Sequence, residues 1–470
     1  MAFRIWIRKK ITSKKCLGVL ILLYVIASSL LFTNFNKNIS KALERQDYVK
    51  LHQLPAKYGV GYVSPAIIDV LTGAFQPCSS ENSQFHGQKN YVCKWLDDRY
   101  SDSTGNYVMY AREFALLNDV IVDPGQATGR VGGENITSVL NQEESVEYLK
   151  LNKSYFQLNC EKLQHPPFNG KNHLNDWLGS VTCVSRDNLK HGRQVSGLTI
   201  AVQRYEYVNF YHTMTDYFNA FLIMILFQKS PKDINILYID AHPAGSLDAT
   251  WDHLFNKTYR AGSLATTTKF SKMAWNIQSY NSPLNNHGLP YVPYLEEFRK
   301  FFLSRHKADK LKILDCKNLS VLFIWRRDYV AHPRNPSGVV SRKIKNEDEL
   351  LTSIKDVLPG HDIKALQLDK LKMDKQLELI SGTDILIGMH GAGLTHTLFL
   401  PKHGGLIELY PTYWPQANKH FLTMARWRNL HYLAWKNHDP ENEHANKMTY
   451  IPPRTLVKMV KEMVKKICNK

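Results

Sequence analysis

From residue 198 onward, short β-branched apolar runs alternate with amphipathic segments, and this alternation limits the fold more than any other feature of the chain. Residues 198–204 alternate like a strand, 209–228 read as a helix, and 234–240 read again as a strand. Ser246 opens a short helix running to Phe255, and 294–306 form another amphipathic helix. After Cys316 a second series begins with a strand at 321–325. Asn346 caps a helix with Glu347, Asp348 and Glu349 in its first turn and Leu350, Leu351, Ile354 and Leu358 along one face. A strand at 363–368, a helix at 374–381 ended by Gly382, and strands at 384–388 and 406–409 complete it. Strands alternating with helices build parallel sheets covered on both faces. Two series predict two doubly wound, Rossmann-like α/β domains with a cleft between them. Residues 61–195 are rich in turn signals and give no regular pattern.

Within the second series, residues 388–396 read Gly-Met-His-Gly-Ala-Gly-Leu-Thr-His. They join the buried strand at 384–388 to a helix expected from Leu394. Gly391 and Gly393 fall at the junction, where glycines let the backbone approach a ligand and a helix start offers free N–H groups. The arrangement suits a pyrophosphate. Many such turns bind nothing, so the assignment needs context.

Context comes first from the N-terminus. Arg4, Arg8, Lys9, Lys10, Lys14 and Lys15 precede an uncharged apolar run from Cys16 to Phe32. This predicts a cytoplasmic tail at 1–15 and a transmembrane signal anchor at 16–35, with later residues lumenal. The run is longer than the apolar region of a usual signal peptide and lacks an Ala-x-Ala cleavage pattern. Residues 36–60 read as a stem. Cys78, Cys93, Cys160, Cys183, Cys316 and Cys468 lie beyond the anchor, an even number that an oxidising compartment would pair. Proximity favours Cys78 with Cys93 and Cys160 with Cys183. Sequons at Asn38, Asn135, Asn152, Asn256 and Asn318 fit the same topology.

The net charge of +18 raises a nucleic-acid reading, which lumenal topology and the lack of any nucleic-acid-binding motif exclude. Part of the charge is the tail. Another part is a C-terminal segment in which Leu456, Val457, Val460, Met463, Val464 and Ile467 keep helical spacing opposite Lys458, Lys461, Lys465 and Lys466. The remainder suits an anionic small substrate such as a nucleotide sugar.

Two further clusters carry chemistry. In the helix at 209–228, Asn209, His212, Thr213, Asp216 and Asn219 form one polar stripe whose only charge is Asp216. A histidine four residues before an aspartate works as base and orienter, or bonds within a core. After the strand at 321–325, Arg326 and Arg327 stand where a parallel strand ends in the ligand crevice, and Arg is the usual fork for phosphate oxygens. Arg334 and Arg342 follow. Glu408, on the strand after the glycine turn, is a candidate acceptor for ribose hydroxyls or a plain strand-end acid.

Four blocks together resemble the plant-type β-1,2-xylosyltransferases of glycosyltransferase family 61. They are Arg204-Tyr-Glu-Tyr-Val-Asn-Phe-Tyr-His-Thr-Met-Thr-Asp216, Asp240-Ala-His with Trp251-Asp-His-Leu-Phe255, Arg326-Arg-Asp-Tyr-Val-Ala-His-Pro-Arg334, and the 388–396 segment. Gly132-Gly-Glu134 is similar too, and the resemblance spans about 118–427. It implies a GT-B fold, with an acceptor-side domain at 61–310 and a nucleotide-sugar-binding domain at 311–470. It also implies inverting transfer of xylose from UDP-xylose to the 2-hydroxyl of the core β-mannose of N-glycans, in the Golgi membrane. Asp216 is then the expected base, with His212 as alternative or partner. Arg326, Arg327, Gly391 and Gly393 would hold the pyrophosphate, with donors from His390 and His396, and Glu408 would bind ribose.

No Asp-x-Asp triplet occurs in the lumenal part, so no metal or other cofactor is expected; arginines and a helix dipole take the place of a divalent ion. Two rivals stand beside this reading. One is an O-GlcNAc-type transferase of the same family using UDP-GlcNAc on protein, which the membrane anchor weighs against. The other is a non-catalytic glycan-binding homologue.

Overall fold

Among the described residues two large β-sheets, each with its own apolar core, organise the fold. The computed structural model describes residues 77–78, 90–167 and 172–469. The expected tail, anchor and stem lie outside the described residues, among which no helix is long and apolar enough to cross a membrane.

The first sheet begins with β1 (Arg99–Ser101), β2 (Tyr107–Tyr110) and β3 (Phe114–Val122), then takes in β4 (Phe156–Leu158) and β5 (Val181–Cys183). It continues with β6 (Arg193–Val202), β7 (Ile234–Tyr238), β8 (Lys257–Arg260) and β9 (Thr268–Trp275). The spatial order is β1-β2-β3-β9-β6-β7-β8, with β4 and β5 extending from β3. Strands β9, β6, β7 and β8 run parallel to one another, whereas β3 pairs antiparallel with both β2 and β9. This lobe is therefore mixed rather than doubly wound throughout. Strand β3 reads Phe-Ala-Leu-Leu-Asn-Asp-Val-Ile-Val, and Asn118-Asp119 interrupts its apolar run, with Asp119 at φ +51°. That interruption hides a nine-residue strand inside a region dense in turn signals.

Between β6 and β7 lies α1 (Phe210–Leu226), whose Asn209 cap accepts from Tyr211 N. Nearly all of its side chains are buried, so it is a core helix rather than a surface one. It ends as Gln228 turns to positive φ. A second helix, α2 (Leu295–Arg305), packs Phe298 and Phe301 against Phe221 of α1.

The second sheet has β10 (Ser320–Ile324), β11 (Asp362–Leu366), β12 (Ile385–Met389), β13 (Gly405–Tyr410) and β14 (His431–Lys436), ordered β11-β10-β12-β13-β14 and wholly parallel. Helices α3 (Glu347–Val357), α4 (Met373–Ser381), α5 (His420–Trp427) and α6 (Pro453–Cys468) lie among these strands or follow them. The expected strands and helices of this series occur in order. The segment after the glycine turn is a 3-10 helix, Ala392–Phe399, rather than an α-helix. C-terminal α6 buries Leu456, Val460, Met463 and Ile467, each worth about 1.5–3 kcal/mol when withdrawn from water.

Disulfides join Cys78–Cys93 and Cys160–Cys183, as proximity favours, and Cys316–Cys468 ties the start of the second lobe to the end of α6. Such bridges belong to oxidising compartments. Asn135, Asn152, Asn256 and Asn318 are all exposed, so each described sequon is open to a glycan.

Candidate functional site

In the second sheet the strand order reverses between β10 and β12, and ligands of parallel sheets settle outside the carboxyl ends at such a point. Arg326 follows β10 and the glycine turn follows β12, so the fold brings these two motifs together. They line a cavity of about 330 Å³ whose opposite wall is the first lobe, at Glu206, Val208, Asn209 and Phe210.

Arg326 and Gly391 fit as a pair. A Cβ on Gly391 would lie 2.8 Å from Arg326 Cζ, inside the guanidinium's contact distance. Glycine here gives the cation room to lie on the backbone, a packing reason beside the close ligand approach that the sequence predicts. Arg326 Nε donates to Ser341 O at 3.2 Å. Arg342 joins the same wall. Its guanidinium lies 3.8 Å from the Trp414 ring centroid, and its backbone holds φ +63°. Among the described residues neither arginine pairs with a carboxylate, and Arg342 Nε has no hydrogen-bond partner. Burial and the like charge of Arg326 push Arg342 down to about 10; burial also lowers Arg326. Both stay charged at neutral pH. Two cations without an ion-pair partner beside a glycine turn, with Asp369 in the field of Arg326, make a site for a multiply charged anion.

His396 lines this cavity and packs its ring on Phe210 of α1 at 4.5 Å. Burial lowers it to about 4, so the ring is neutral. Its Nδ1–H donates to Gly393 O at 2.8 Å, and Nε2 has no partner. The free nitrogen is thus a lone pair, suited to accept from a hydroxyl rather than to donate to a phosphate as the sequence reading expects.

The other sequence-derived residues sit elsewhere. Arg327 touches the cavity rim, but its guanidinium is held by Glu347 at the start of α3. His390 and Glu408 lie beneath the glycine turn, bonded to each other at 2.5 Å. The second Glu408 oxygen accepts from Tyr432 Oη at 2.8 Å, and the carboxylate is fully buried. This pair braces β12 against β13 and leaves no free oxygen for a ribose. Asp216 does not line the cavity. It is 2% exposed, its Oδ1 has no hydrogen-bond partner, and burial raises its carboxyl well above the usual range. The polar stripe of α1 turns toward the loops after β6 and β9, where Thr213 donates to Glu206 O and Asn219 to Ile277 O. His212, half-buried, packs edge-on to Tyr280 and is also absent from the cavity wall. A buried acid off the cavity wall is poorly placed to take a proton from an incoming substrate.

Arg204, in the first resembling block, is structural. It grips Asp240 in a two-point pair at 2.6 and 2.9 Å and reaches Asp248 at 2.7 Å, joining the ends of β6 and β7. His242 bonds Glu147 at 2.7 Å beside it. The loop after β10 docks on this region: Arg334 pairs with Glu144 and Glu206, and Asn141 N donates to Pro333 O. On another edge, His420 of α5 meets His287 at 2.8 Å and Trp427 donates to Leu289 O. These contacts, with Arg428 on Glu296 and Arg299 donating to Phe399 O and Leu400 O, latch the lobes together.

Residues 210–407, which include both cavity arginines and the glycine turn, match the family model described as Glycosyltransferase 61. The chain is 26% identical over 355 residues to the β-1,2-xylosyltransferase RCN11 of Oryza sativa subsp. japonica, covering 67% of this chain and 66% of that protein. It is 25% identical over 300 residues to the β-1,2-xylosyltransferase of Arabidopsis thaliana, covering 56% of this chain and 55% of the relative. It is also 30% identical over 257 residues to the EGF domain-specific O-linked N-acetylglucosamine transferase of Drosophila melanogaster, covering 50% of this chain and 45% of the relative. The matches span from just under half to just under two thirds of these relatives.

Proposed function

We propose, on the match of residues 210–407 to the Glycosyltransferase 61 model, that the chain transfers a sugar from a UDP-sugar to a glycoprotein acceptor in the cavity between its lobes. The single observation carrying this is the pair of cations Arg326 and Arg342, neither in an ion pair, with Arg326 laid against Gly391 at the reversal point of the parallel sheet. Such a wall receives the diphosphate and stabilises charge as the sugar departs. The His396 lone pair accepts from a hydroxyl of the same donor. The described lobes support a GT-B reading, with an acceptor side over 61–310 and a donor side over 311–470.

The finer reading is inverting transfer of xylose from UDP-xylose to the 2-hydroxyl of the core β-mannose of an N-glycan. Its support is the pair of plant relatives, whose matches reach over more of the chain than the EGF-directed ones. Transfer of GlcNAc to protein is the second reading, favoured by the higher identity of the Drosophila protein over its shorter span. Three disulfides and exposed sequons support a lumenal site, and the 16–35 run supports a Golgi type II membrane protein. No divalent cation or nucleic acid enters this reading.

A donor panel decides. Purified lumenal chain is incubated with UDP-xylose or UDP-GlcNAc and either a biantennary N-glycan or a folded EGF domain, and products are weighed by mass spectrometry. A pentose added to the N-glycan is the expected result. N-acetylhexosamine on the EGF domain would replace it with the second reading, and no UDP release with any pair would overturn transferase function.

A further inference from the structure

Inverting transfer needs a base on the acceptor side of the cavity, and neither Asp216 nor His212 lines it. Among the described residues lining the cavity, the carboxylates are Asp369 and Glu206. Asp369 belongs to the second lobe, on the same wall as Arg326. Glu206 stands on the first lobe and faces the cationic wall across the gap.

The local fold fixes Glu206 there. The chain leaves β6 and turns into α1, and Glu206 O accepts from Asn209 N at 3.2 Å and Thr213 Oγ1 at 3.0 Å. The side chain stays 23% exposed, with Oε1 accepting from Arg334 at 3.1 Å. The preceding residue, Tyr205, lines a separate first-lobe cavity of about 1200 Å³ together with His173, Asn172 and Asp176. Residues 205 and 206 thus partition a wide polar cavity from the cationic one.

We propose that Glu206 is the catalytic base of the sugar transfer, taking the proton from an acceptor hydroxyl that enters from the first lobe. This rests on the UDP-sugar reading above. The acceptor O–H bond breaks as its proton passes to the Glu206 carboxylate. The freed oxygen pair forms the new bond to the anomeric carbon, while the bond from that carbon to the β-phosphate oxygen breaks. The departing electron pair leaves with UDP, where Arg326 and Arg342 meet its charge. The proton then passes from Glu206 to solvent.

The surroundings suit a base working near neutrality. Burial raises the Glu206 carboxyl above its usual range, His242 acts to lower it and Glu147 to raise it. Arg334, itself shared with Glu144, faces the carboxylate directly, and Tyr148 and Tyr280 lie within its field.

The test compares wild type with Glu206→Gln, Glu206→Asp and Arg334→Met, measuring UDP affinity by calorimetry and turnover against pH. Glu206→Gln is expected to bind UDP within about threefold of wild type while kcat falls by about 10²–10⁴ and the acidic limb of the profile vanishes. Glu206→Asp restores at least about tenfold of that loss. Arg334→Met keeps most of the turnover and moves the acidic limb upward, because the carboxylate loses a cation. The role is overturned if Glu206→Gln turns over like wild type, or if Arg334→Met loses as much as Glu206→Gln, which would make the contribution structural. Wild type that neither binds UDP nor releases it from any donor overturns instead the transferase reading on which this rests.

Discussion

Replacing Gly391 with alanine tests the fit between the glycine turn and its cation. The new methyl would fall inside the Arg326 guanidinium, 2.8 Å from Cζ, so Arg326 must leave its place on the turn. A hydrogen bond to a charged group is worth about 1.5–3 kcal/mol. Losing one such interaction with the diphosphate weakens UDP binding by about 10-fold to 150-fold. The same methyl on Gly393 would meet only Ile324 Cγ2 at 3.3 Å, a tight contact that small side-chain movement relieves. Gly393→Ala therefore costs less than Gly391→Ala. Titration calorimetry with UDP on wild type, Gly391→Ala, Arg326→Met and the double variant gives a closed cycle. The double variant is expected to bind no worse than Arg326→Met alone, because both changes remove one interaction. Full additivity, or Gly391→Ala binding UDP like wild type, would refute the argument that this glycine exists to seat Arg326.

Three more outcomes follow from the placement of buried groups. Asp216→Asn keeps turnover within about threefold and the melting temperature within a few degrees, since the side chain lies off the cavity wall and burial already disfavours its charged form; a hundredfold loss of kcat with intact UDP binding would return the base role to Asp216. His173, His306 and His396 take up protons near pH 6.5 when unfolded but only near pH 4 when folded, chiefly through burial. Stability is complete above about pH 6.5 and falls toward pH 4, by at most about 4 kcal/mol per pH unit for the three together; chemical denaturation at pH 7 and 5 checks this, and equal stabilities would contradict it. Turnover in excess chelator equals that in buffer, because arginines face the diphosphate; loss restored by manganese would contradict it.

The second lobe was legible because its strands are short, uninterrupted and β-branched, as in 385–389 and 320–324. The first lobe was half legible. Its parallel strands announce themselves, but β3 is broken by Asn118-Asp119 and pairs antiparallel, a register that no local pattern encodes. The site divides the same way. Arg326 and Gly391 follow from strand ends and a glycine turn. Arg342 follows the basic run that ends at Arg334, yet only folding shows its guanidinium over Trp414 beside Arg326. The stripe on α1 is real, but spacing gives a face and not its neighbour: loop carbonyls occupy it, and the cavity receives the helix start instead. His390 and Glu408 show the same limit, since a single sequence does not reveal that two polar residues satisfy each other beneath a turn.

Determining the structure of the lumenal chain with UDP bound tests the donor site most directly. The diphosphate is expected in the cavity between the lobes, its β-phosphate against Arg326, Arg342 and the backbone at Gly391, with a hydroxyl of the nucleotide or sugar on His396 Nε2. UDP seated elsewhere, or with its diphosphate turned away from both arginines, would contradict the account.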